Sequence, residues 1–277
     1  MKSINRVLLC VFIMVSFNVF SQNTAADDRE LIRDYFSNKF PTIALSEYIN
    51  GSYIFDAKAK EQWMEIEEFP PYEFDIDQGK VLFDTPFANG KYYADCFENK
   101  GIGVKHNYPK WSESQKTVIT LELAINQCRE NNGEKPLKYG LGDMAMISAY
   151  MAFTSRGEII DIEEPKGDSY ASYLLGKKYY FSRRGQLNMA CATCHLAASN
   201  LKLRYETPGP VLGQVTNWPV YRSKWEKIGT IHHRIRECNS QVRAKQLEYQ
   251  SETYRNLEYF LTYISNGLPI NGPGSRK

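Results

Sequence analysis

The clearest chemical signal in this chain is a pair of cysteines and a histidine in the stretch 191–195, Cys-Ala-Thr-Cys-His. Two thiols at this spacing can each add to one vinyl group of a haem, and the adjacent histidine can then bind the iron. A thioredoxin-like redox pair and half of a zinc site are the alternatives, but no second metal-spaced pair follows. The stretch predicts one covalently bound haem c, with Cys191 and Cys194 as attachments and His195 as an axial ligand.

The second axial ligand is not the methionine that ordinary electron-transfer cytochromes c use. The last methionine of the chain is Met189, which precedes the haem stretch. The downstream candidates are His232, His233 and Cys238. Cys238 is favoured, because an odd cysteine without a partner is unusual in an exported protein. Its alternative role is that of a small buried apolar residue.

Basic residues near Cys238 indicate what its thiol could do. Arg234 lies one helical turn earlier, so it shares a face with Cys238 and could bond an oxyanion held at the sulfur. Cationic neighbours stabilise a thiolate, and a thiolate among arginines attracts small dianions. For Arg236 and Arg243, contact with haem propionates or solvent is an equal alternative. We therefore expect Cys238 to be a reactive sulfur and Arg234 to bind an anion.

The chain repeats itself, which predicts two related domains. A glycine precedes a cysteine by six residues at Gly90 and Cys96, and again at Gly185 and Cys191. A second cysteine follows on a helical pattern in each copy, Cys128 in the first and residue 238 in the second. Two cytochrome-like units in tandem are the simplest interpretation.

The first copy has lost the residues that would hold a haem. Asn99 and Lys100 stand where the second copy has its second haem cysteine and its histidine. The remaining cysteines, Cys96 and Cys128, are predicted to form a disulfide, because thiols in an oxidising compartment are usually bridged. Closing a loop of about 30 residues would stabilise the domain by roughly 3 to 4 kcal/mol. Two separate buried thiols are the alternative.

The N-terminus predicts a secretory signal peptide over residues 1–21, cleaved near Ser21. Lys2 and Arg6 precede an apolar run over 7–20, which is shorter than the roughly 20 residues that a membrane span needs. No later stretch approaches that length. We therefore expect a periplasmic protein without a membrane span, which agrees with a haem that bacteria attach outside the cytoplasm.

The formal charge of +2 falls to zero without the signal peptide, but the charges are unevenly distributed. Residues 22–80 hold 13 acidic and 6 basic side chains, whereas residues 171–277 hold 6 acidic and 16 basic ones. The haem half is therefore cationic. It lacks the basic clusters with interleaved aromatic residues that are typical of nucleic-acid binding, so no nucleic-acid partner is expected.

Helices are expected to position these residues, in a mainly α fold of two cytochrome c-like domains in tandem, the first without haem. We assign residues 22–157 to the haemless domain with its N-terminal extension and residues 170–277 to the haem-binding domain. The connector, 158–169, contains Pro165 and Gly167, which are typical of a loop.

Local patterns in the haem domain predict three helices. The first covers 170–181, capped by Asp168 or Ser169, and the second opens at the capping box 223–226. Ser251 is expected to cap the last helix. Gly176 is expected to allow close approach of an aromatic ring from that last helix, such as Tyr259.

Several segments resemble the SoxA family, the catalytic cytochrome subunits of the SoxAX complex in bacterial sulfur oxidation, and specifically its single-haem branch. The similarity covers nearly all of the chain from about residue 65. The segments are Thr-Pro-Phe-Ala-Asn-Gly-Lys at 85–91, Leu-Glu-Leu-Ala-Ile-Asn at 121–126, Arg-Gly-Gln-Leu-Asn at 184–188, Asn-Trp-Pro-Val-Tyr at 217–221 and Arg-Ile-Arg-Glu-Cys at 234–238.

The resemblance implies an L-cysteine S-thiosulfotransferase, which transfers thiosulfate oxidatively onto the carrier cysteine of a SoxYZ-type protein and passes two electrons to cytochrome c. It implies His195 as the proximal iron ligand, with Cys191 and Cys194 as the haem attachments. Cys238 would be both the distal ligand and the catalytic sulfur, and Arg234 would bind the substrate. The implied partners are a SoxX-type cytochrome subunit in a heterodimer, the carrier protein and thiosulfate.

Two other functions remain open at this stage. A non-catalytic periplasmic electron-transfer cytochrome with His/Cys haem ligation would use the same residues. A haem-bearing scaffold whose partner holds the active thiol would also fit. Replacement of Cys238 separates these possibilities from the enzyme.

Overall fold

The computed structural model describes residues 23–203 and 206–276, so the predicted signal peptide and its cleavage near Ser21 lie outside the described residues. Within these ranges the chain is mainly helical, with eight α-helices and five short strands. None of the helices in this part of the chain is both long and apolar enough to cross a bilayer.

The same order of elements, a helix, a β-hairpin and two further helices, occurs twice. This order confirms the predicted internal repeat. Ahead of the first copy lie α1 (Ala25–Lys39), a 3₁₀ segment (Leu45–Phe55) and α2 (Ala57–Glu68). The first copy contains α3 (Glu73–Asp84), β1 (Lys110–Ser112), β2 (Thr117–Ile119), α4 (Leu121–Asn131) and α5 (Asp143–Phe153). The second contains α6 (Gly167–Phe181), β3 (Val220–Arg222), β4 (Lys227–Gly229), α7 (Ile231–Gln241), α8 (Glu252–Ile264) and finally β5 (Gly274–Arg276).

In both copies the first and last helices touch at a glycine. A Cβ on Gly79 of α3 would lie 2.1 Å from the carbonyl oxygen of Met146 in α5. A Cβ on Gly176 of α6 would lie 2.0 Å from the carbonyl oxygen of Asn256 in α8. The predicted close approach at Gly176 is therefore confirmed, but its nearest neighbours are the backbone atoms of Asn256 and Leu257 and not a ring of Tyr259 or Tyr263. Backbone meets backbone here, which requires a residue without a side chain.

The N-terminal helix α1 packs on the second copy. Its buried residues Ile32 and Phe36 belong to the same apolar core as Tyr173 of α6 and Phe260 of α8. The carboxylate of Asp28, which is buried, pairs with Lys177 Nζ at 2.6 Å and accepts a hydrogen bond from the Tyr173 hydroxyl at 3.1 Å. The acidic N-terminal segment is thus anchored to the haem half by charge as well as by packing.

The predicted helix start at the capping box 223–226 is wrong. Residues 220–229 form the antiparallel hairpin β3–β4, and α7 begins later, at Ile231, after the N-cap Thr230. The backbone N–H of Glu226 donates to the carbonyl of Arg222 at 2.9 Å, and Glu226 has a φ of 51°. A left-handed residue fits a tight hairpin turn and not a helix, so strand pairing overrides the local capping pattern. On its other side β3 pairs in parallel with β5.

The other two helix starts differ from expectation in smaller ways. Helix α6 begins at Gly167, three residues before Tyr170, and Ser169 caps it from inside the first turn. Its hydroxyl accepts a hydrogen bond from the Lys166 N–H at 2.7 Å. Ser251 occupies the N-cap position of α8 as predicted, but its side chain makes no capping hydrogen bond.

The predicted disulfide between Cys96 and Cys128 is confirmed, with a Cα–Cα distance of 5.8 Å. It joins the loop after α3 to the C-terminal part of α4. The adjacent Asn132 amide donates to the carbonyl oxygen of Cys128 at 2.8 Å, which closes the end of that helix. Asn99 and Lys100 lie in a turn three residues beyond Cys96, both with positive φ.

Removal of the disulfide is expected to destabilise the first domain. The double variant Cys96→Ala/Cys128→Ala should lower the free energy of unfolding by about 3 kcal/mol, because the unfolded chain regains the freedom of a 32-residue loop. Urea unfolding followed by circular dichroism measures this loss. Reduction of the wild-type protein should move the midpoint in the same direction, and an unchanged midpoint in both experiments would contradict the prediction.

The variant Gly176→Ala is expected to lower stability by about 2 kcal/mol or more, because the added methyl group forces α6 away from α8. This effect outweighs the gain of about 1 kcal/mol in helix propensity. Thermal unfolding measures the change. Gly133→Ala is the comparison, since a Cβ at Gly133 meets nothing within 4 Å and costs only its positive φ. Equal losses for the two variants would refute the contact argument.

Candidate haem and thiol site

The haem stretch lies at the start of a single π-helical turn, Thr193–Ala197. The Thr193 hydroxyl accepts a hydrogen bond from the N–H of Ala190 at 3.0 Å, and its carbonyl accepts one from Ala198 at 3.0 Å. Cys191 and Cys194 are free thiols and partly exposed. Such wide turns are rare and occur often at functional sites. This one, named here the haem-ligand turn, contains Cys194 and His195, and Cys191 lies two residues before it.

The His195 ring is fixed by the loop that follows the turn. Its Nδ1 lies 2.7 Å from the carbonyl oxygen of Gly209, and the N–H of Val211 donates to the His195 carbonyl at 2.9 Å. A carbonyl only accepts, so Nδ1 carries the proton and Nε2 keeps its lone pair. Burial lowers the pKa of His195, the Gly209 bond opposes this, and the charge of Arg234 lowers it further. The ring is therefore held neutral, as a metal ligand must be.

Cys238, on α7, lies near enough to the two haem cysteines for its charge to act on both. Burial raises the pKa of Cys191 and of Cys194, and the negative charge of a Cys238 thiolate raises both further. Arg184 opposes this at Cys191, because its Nη1 lies 3.4 Å from the sulfur. Cys238 is itself a free thiol and partly exposed. Three sulfurs thus gather around one region of the haem half.

These residues fit a haem c. The donor set suits a covalently held iron porphyrin. It consists of two thiols at attachment spacing, an imidazole whose Nε2 keeps its lone pair, and a third sulfur near them. Cys191, Cys194, His195 and Cys238 are all partly buried, at the border of the core that Cys191 contacts, and none of the four is fully enclosed.

The two histidines of α7 have other partners. The buried His232 lies with Nε2 3.1 Å from a carboxylate oxygen of Glu258, which is also buried. His233 Nδ1 lies 2.7 Å from the hydroxyl of Tyr249. Of the three downstream candidates for the second iron ligand, Cys238 is therefore the one whose charge acts on the haem cysteines.

Arg234 lies next to Cys238 within a network of charges. Its Nη1 is 2.5 Å from Glu237 and its Nη2 is 3.4 Å from Glu206. Burial disfavours the charged form of Arg234, but the negative charges of Cys238, Glu237 and Glu206 outweigh burial and raise its pKa. The network continues from Glu237 to Lys224 at 2.5 Å and from Glu206 to Arg222 at 2.7 Å.

Glu237 and Glu206 are site residues that sequence reasoning missed. Burial opposes ionisation of Glu237, but Lys224 and Arg234 outweigh it and lower its pKa to about 2. Glu237 is thus a fixed negative charge that orients the Arg234 guanidinium. Its spacing of three residues from Arg234 was the available signal. Glu206 had none, since it is 28 residues from Arg234 along the chain.

The other arginines near Cys238 in sequence have protein partners of their own. Arg236 stacks on the ring of Tyr249 at 4.5 Å and donates to the carbonyl of Leu247. Arg243 is exposed, with its Nη1 3.4 Å from the side-chain oxygen of Gln186. Arg234 is the arginine of this group whose pKa responds to the charge of Cys238.

Known proteins with this sequence pattern are cytochromes of sulfur metabolism. The family model described as the SoxA/TsdA cytochrome c domain matches residues 78–160 and 175–270, one range in each copy of the repeat. This match confirms the prediction of two cytochrome c-type domains, and a cytochrome c domain implies haem c. The fold is also similar to a chain of the crystal structure of SoxXA from P. pantotrophus. That likeness has a TM-score of 0.72 and 24% identity, over 78% of this chain and 84% of that one.

Two relatives carry the same printed name, L-cysteine S-thiosulfotransferase subunit SoxA. The protein from Allochromatium vinosum is 52% identical over 256 residues, which cover 92% of this chain and 91% of the relative. The protein from Chlorobaculum tepidum is 48% identical over 250 residues, 90% of this chain and 87% of the relative. As the sequence motifs predicted, the chain is therefore a member of the SoxA family of L-cysteine S-thiosulfotransferase subunits.

Proposed function

We propose that this chain joins thiosulfate to the carrier cysteine of a SoxYZ-type protein, forming a cysteine S-thiosulfonate and passing two electrons to cytochrome c. The observation that carries the proposal is the placement of Cys238, a free thiol whose charge acts on both haem cysteines and on Arg234, one helical turn earlier. A soft nucleophile, a fixed positive charge and an electron exit are the three things that this oxidation requires.

The chemistry balances in two steps. In the first, the Cys238 thiolate forms a bond to the outer sulfur of thiosulfate, and two electrons leave to cytochrome acceptors. In the second, the carrier thiolate attacks that outer sulfur, the bond to Cys238 breaks, and the Cys238 thiolate is regenerated. The net change is one new sulfur–sulfur bond on the carrier and two electrons transferred to the acceptors.

Arg234 would hold the sulfonate end of thiosulfate during the first step. Two negative charges repel when a dianion approaches a thiolate, so a guanidinium between them lowers the cost of the encounter. The Arg234 contact with Glu237 is short, at 2.5 Å, whereas the contact with Glu206 is 3.4 Å. An incoming anion could therefore replace Glu206 while Glu237 keeps the guanidinium in place.

We propose a single haem c, attached at Cys191 and Cys194 with His195 and Cys238 as axial ligands. When bound, it would carry electrons away one at a time. Two electrons leave per turnover, so a second redox centre is required, and we assign it to a SoxX-type cytochrome bound as a heterodimer partner. The first copy of the repeat is assigned no haem, since Asn99 and Lys100 occupy the corresponding positions.

We place the protein in the periplasm, on the basis of the predicted signal peptide 1–21 and of a haem that is attached outside the cytoplasm. The proposed domain limits are 22–157 for the haemless unit, 158–169 for the connector and 170–277 for the haem-binding unit. Helix α1, residues 25–39, packs on the haem-binding unit and contributes side chains to its core.

The variant Cys238→Ser is expected to reduce thiosulfate-dependent modification of the carrier by at least about 10³-fold, because the reacting sulfur is lost. Its haem should stay covalently attached, with an altered optical spectrum. Mass spectrometry measures the modification of the carrier and the haem attachment of the variant, and an absorption spectrum records the change at the haem. Ser240→Ala, at an exposed position two residues along α7, is the control. Turnover that survives a spectral change would identify a simple electron-transfer cytochrome.

The variant Arg234→Gln is expected to raise the thiosulfate concentration for half-maximal rate by about 10- to 100-fold, because a charge-assisted hydrogen bond to the anion is lost. The haem spectrum should change little. Arg234→Lys keeps the charge and should give an intermediate value. Steady-state kinetics with Arg243→Gln as the exposed control test this, and unchanged saturation in Arg234→Gln would remove the residue from substrate binding.

A further inference from the structure

The last turn of α1 reaches the haem-ligand turn. Lys39 Nζ lies 3.0 Å from the carbonyl oxygen of Leu196 and 2.9 Å from that of Ala197. It also lies 3.3 Å from the hydroxyl of Ser199. The hydroxyl of Tyr35, one turn earlier on α1, donates to the same Leu196 carbonyl at 3.1 Å. One ammonium group and one phenol thus converge on the two residues that follow the iron-ligand histidine.

The end of a helical turn leaves carbonyl groups without intrahelical donors, so these oxygens need a partner. In the haem-ligand turn the i to i+5 pattern closes with the bond from Ala198 to Thr193. The Leu196 carbonyl has one local donor, the Ser199 hydroxyl at 3.0 Å, and Lys39 adds a charged donor to it and to the Ala197 carbonyl. A lysine ammonium carries three donors and suits such a cluster of acceptors. Lys39 is half-buried, which strengthens its hydrogen bonds relative to exposed ones.

The same N-terminal segment also packs on the loop whose Gly209 carbonyl holds the His195 ring. A Cβ on Gly209, whose carbonyl accepts from the His195 ring, would lie 3.1 Å from the backbone nitrogen of Ser52. A Cβ on Gly213 would lie 2.4 Å from the carbonyl oxygen of Tyr48. Backbone therefore lies directly against backbone on this side, and the loop cannot shift without moving the segment.

Further along that loop, the amide of Asn217 donates to the carbonyl of Ile49 at 2.6 Å. The segment 23–56 thus holds both the turn that carries the histidine and the loop that orients its ring. It lies ahead of residue 78, where the match to the family's cytochrome c domain begins. The contacts of Lys39, Tyr35 and the 48–52 backbone are therefore made from outside the matched domain.

We propose that residues 23–56 act as an external brace for the proximal histidine, with Lys39 as its principal positioning residue. Lys39 fixes the backbone immediately after His195, and the 48–52 backbone fixes the carbonyl that bonds its ring. The brace restricts the ring to one orientation toward the iron. The brace concerns how His195 is held toward a bound haem and not how thiosulfate reacts. Its test therefore gives a result whether or not the proposed reaction is correct.

The test compares Lys39→Met with Lys39→Arg and with Lys58→Met, a matched change at an exposed lysine of α2. Amide hydrogen exchange in peptides covering 191–201 should rise at least about tenfold in Lys39→Met, the scale of one charge-assisted hydrogen bond. Electron paramagnetic resonance of the ferric haem should show more than one low-spin species. Lys39→Arg should restore both signals in large part, and Lys58→Met should match the wild type.

Two results for Lys39→Met would overturn the proposal. One is wild-type exchange and a single low-spin species in the haem-loaded variant. The other is exchange that rises equally in α7, which would indicate a general loss of stability. If Lys39→Met does not accumulate as folded protein, Tyr35→Phe decides, since it removes one donor to Leu196. Increased exchange confined to the haem-ligand turn would then support the brace, and unchanged exchange would overturn it.

Discussion

The hydrogen bond from His195 Nδ1 to the Gly209 carbonyl is the constraint on which the haem half depends. It selects the tautomer with a free Nε2. It also ties the haem-ligand turn to Gly209, which lies 14 residues after His195. That loop can hold the bond only if its own backbone is fixed. Glycines at 209 and 213 allow the N-terminal segment to pack closely against it, while Lys39 of α1 donates to the turn itself. A single imidazole orientation therefore requires contacts from distant parts of the chain.

The features that could be predicted from sequence are those that depend on the spacing and number of cysteines. The spacing of Cys191, Cys194 and His195 has few other uses, and two leftover cysteines in an exported protein predict a bridge, which the fold contains. What sequence could not supply was the partner of each charge. Glu206 reaches Arg234 across 28 residues, and Lys39 reaches Leu196 across 157. Such pairs are set by how the helices pack, and no local spacing records them.

The wrong prediction of a helix start at 223–226 has the same cause, since contacts between distant segments also decide secondary structure. Ser-x-x-Glu at 223–226 is a valid capping pattern by itself, yet β3 finds partners on both sides, β4 and the distant β5. Pairing with a strand more than 50 residues away outweighs a local preference worth about 1 kcal/mol. The glycine contacts behave differently. Gly79 and Gly176 keep the helix crossing in both copies, so the architecture persists where the first copy has no haem residues.

The position of the disulfide has a consequence for how the protein matures. Five cysteines remain after residue 21, and incorrect pairing among them would trap a chain that cannot take its cofactor. Cys96 and Cys128 both lie in the half that is synthesised first, and their bridge joins the exposed Cys96 to Cys128 in the core of that half. Nascent domains fold in that order. The early half can therefore oxidise its own two thiols while the later three remain reduced for the proposed haem attachment and sulfur chemistry.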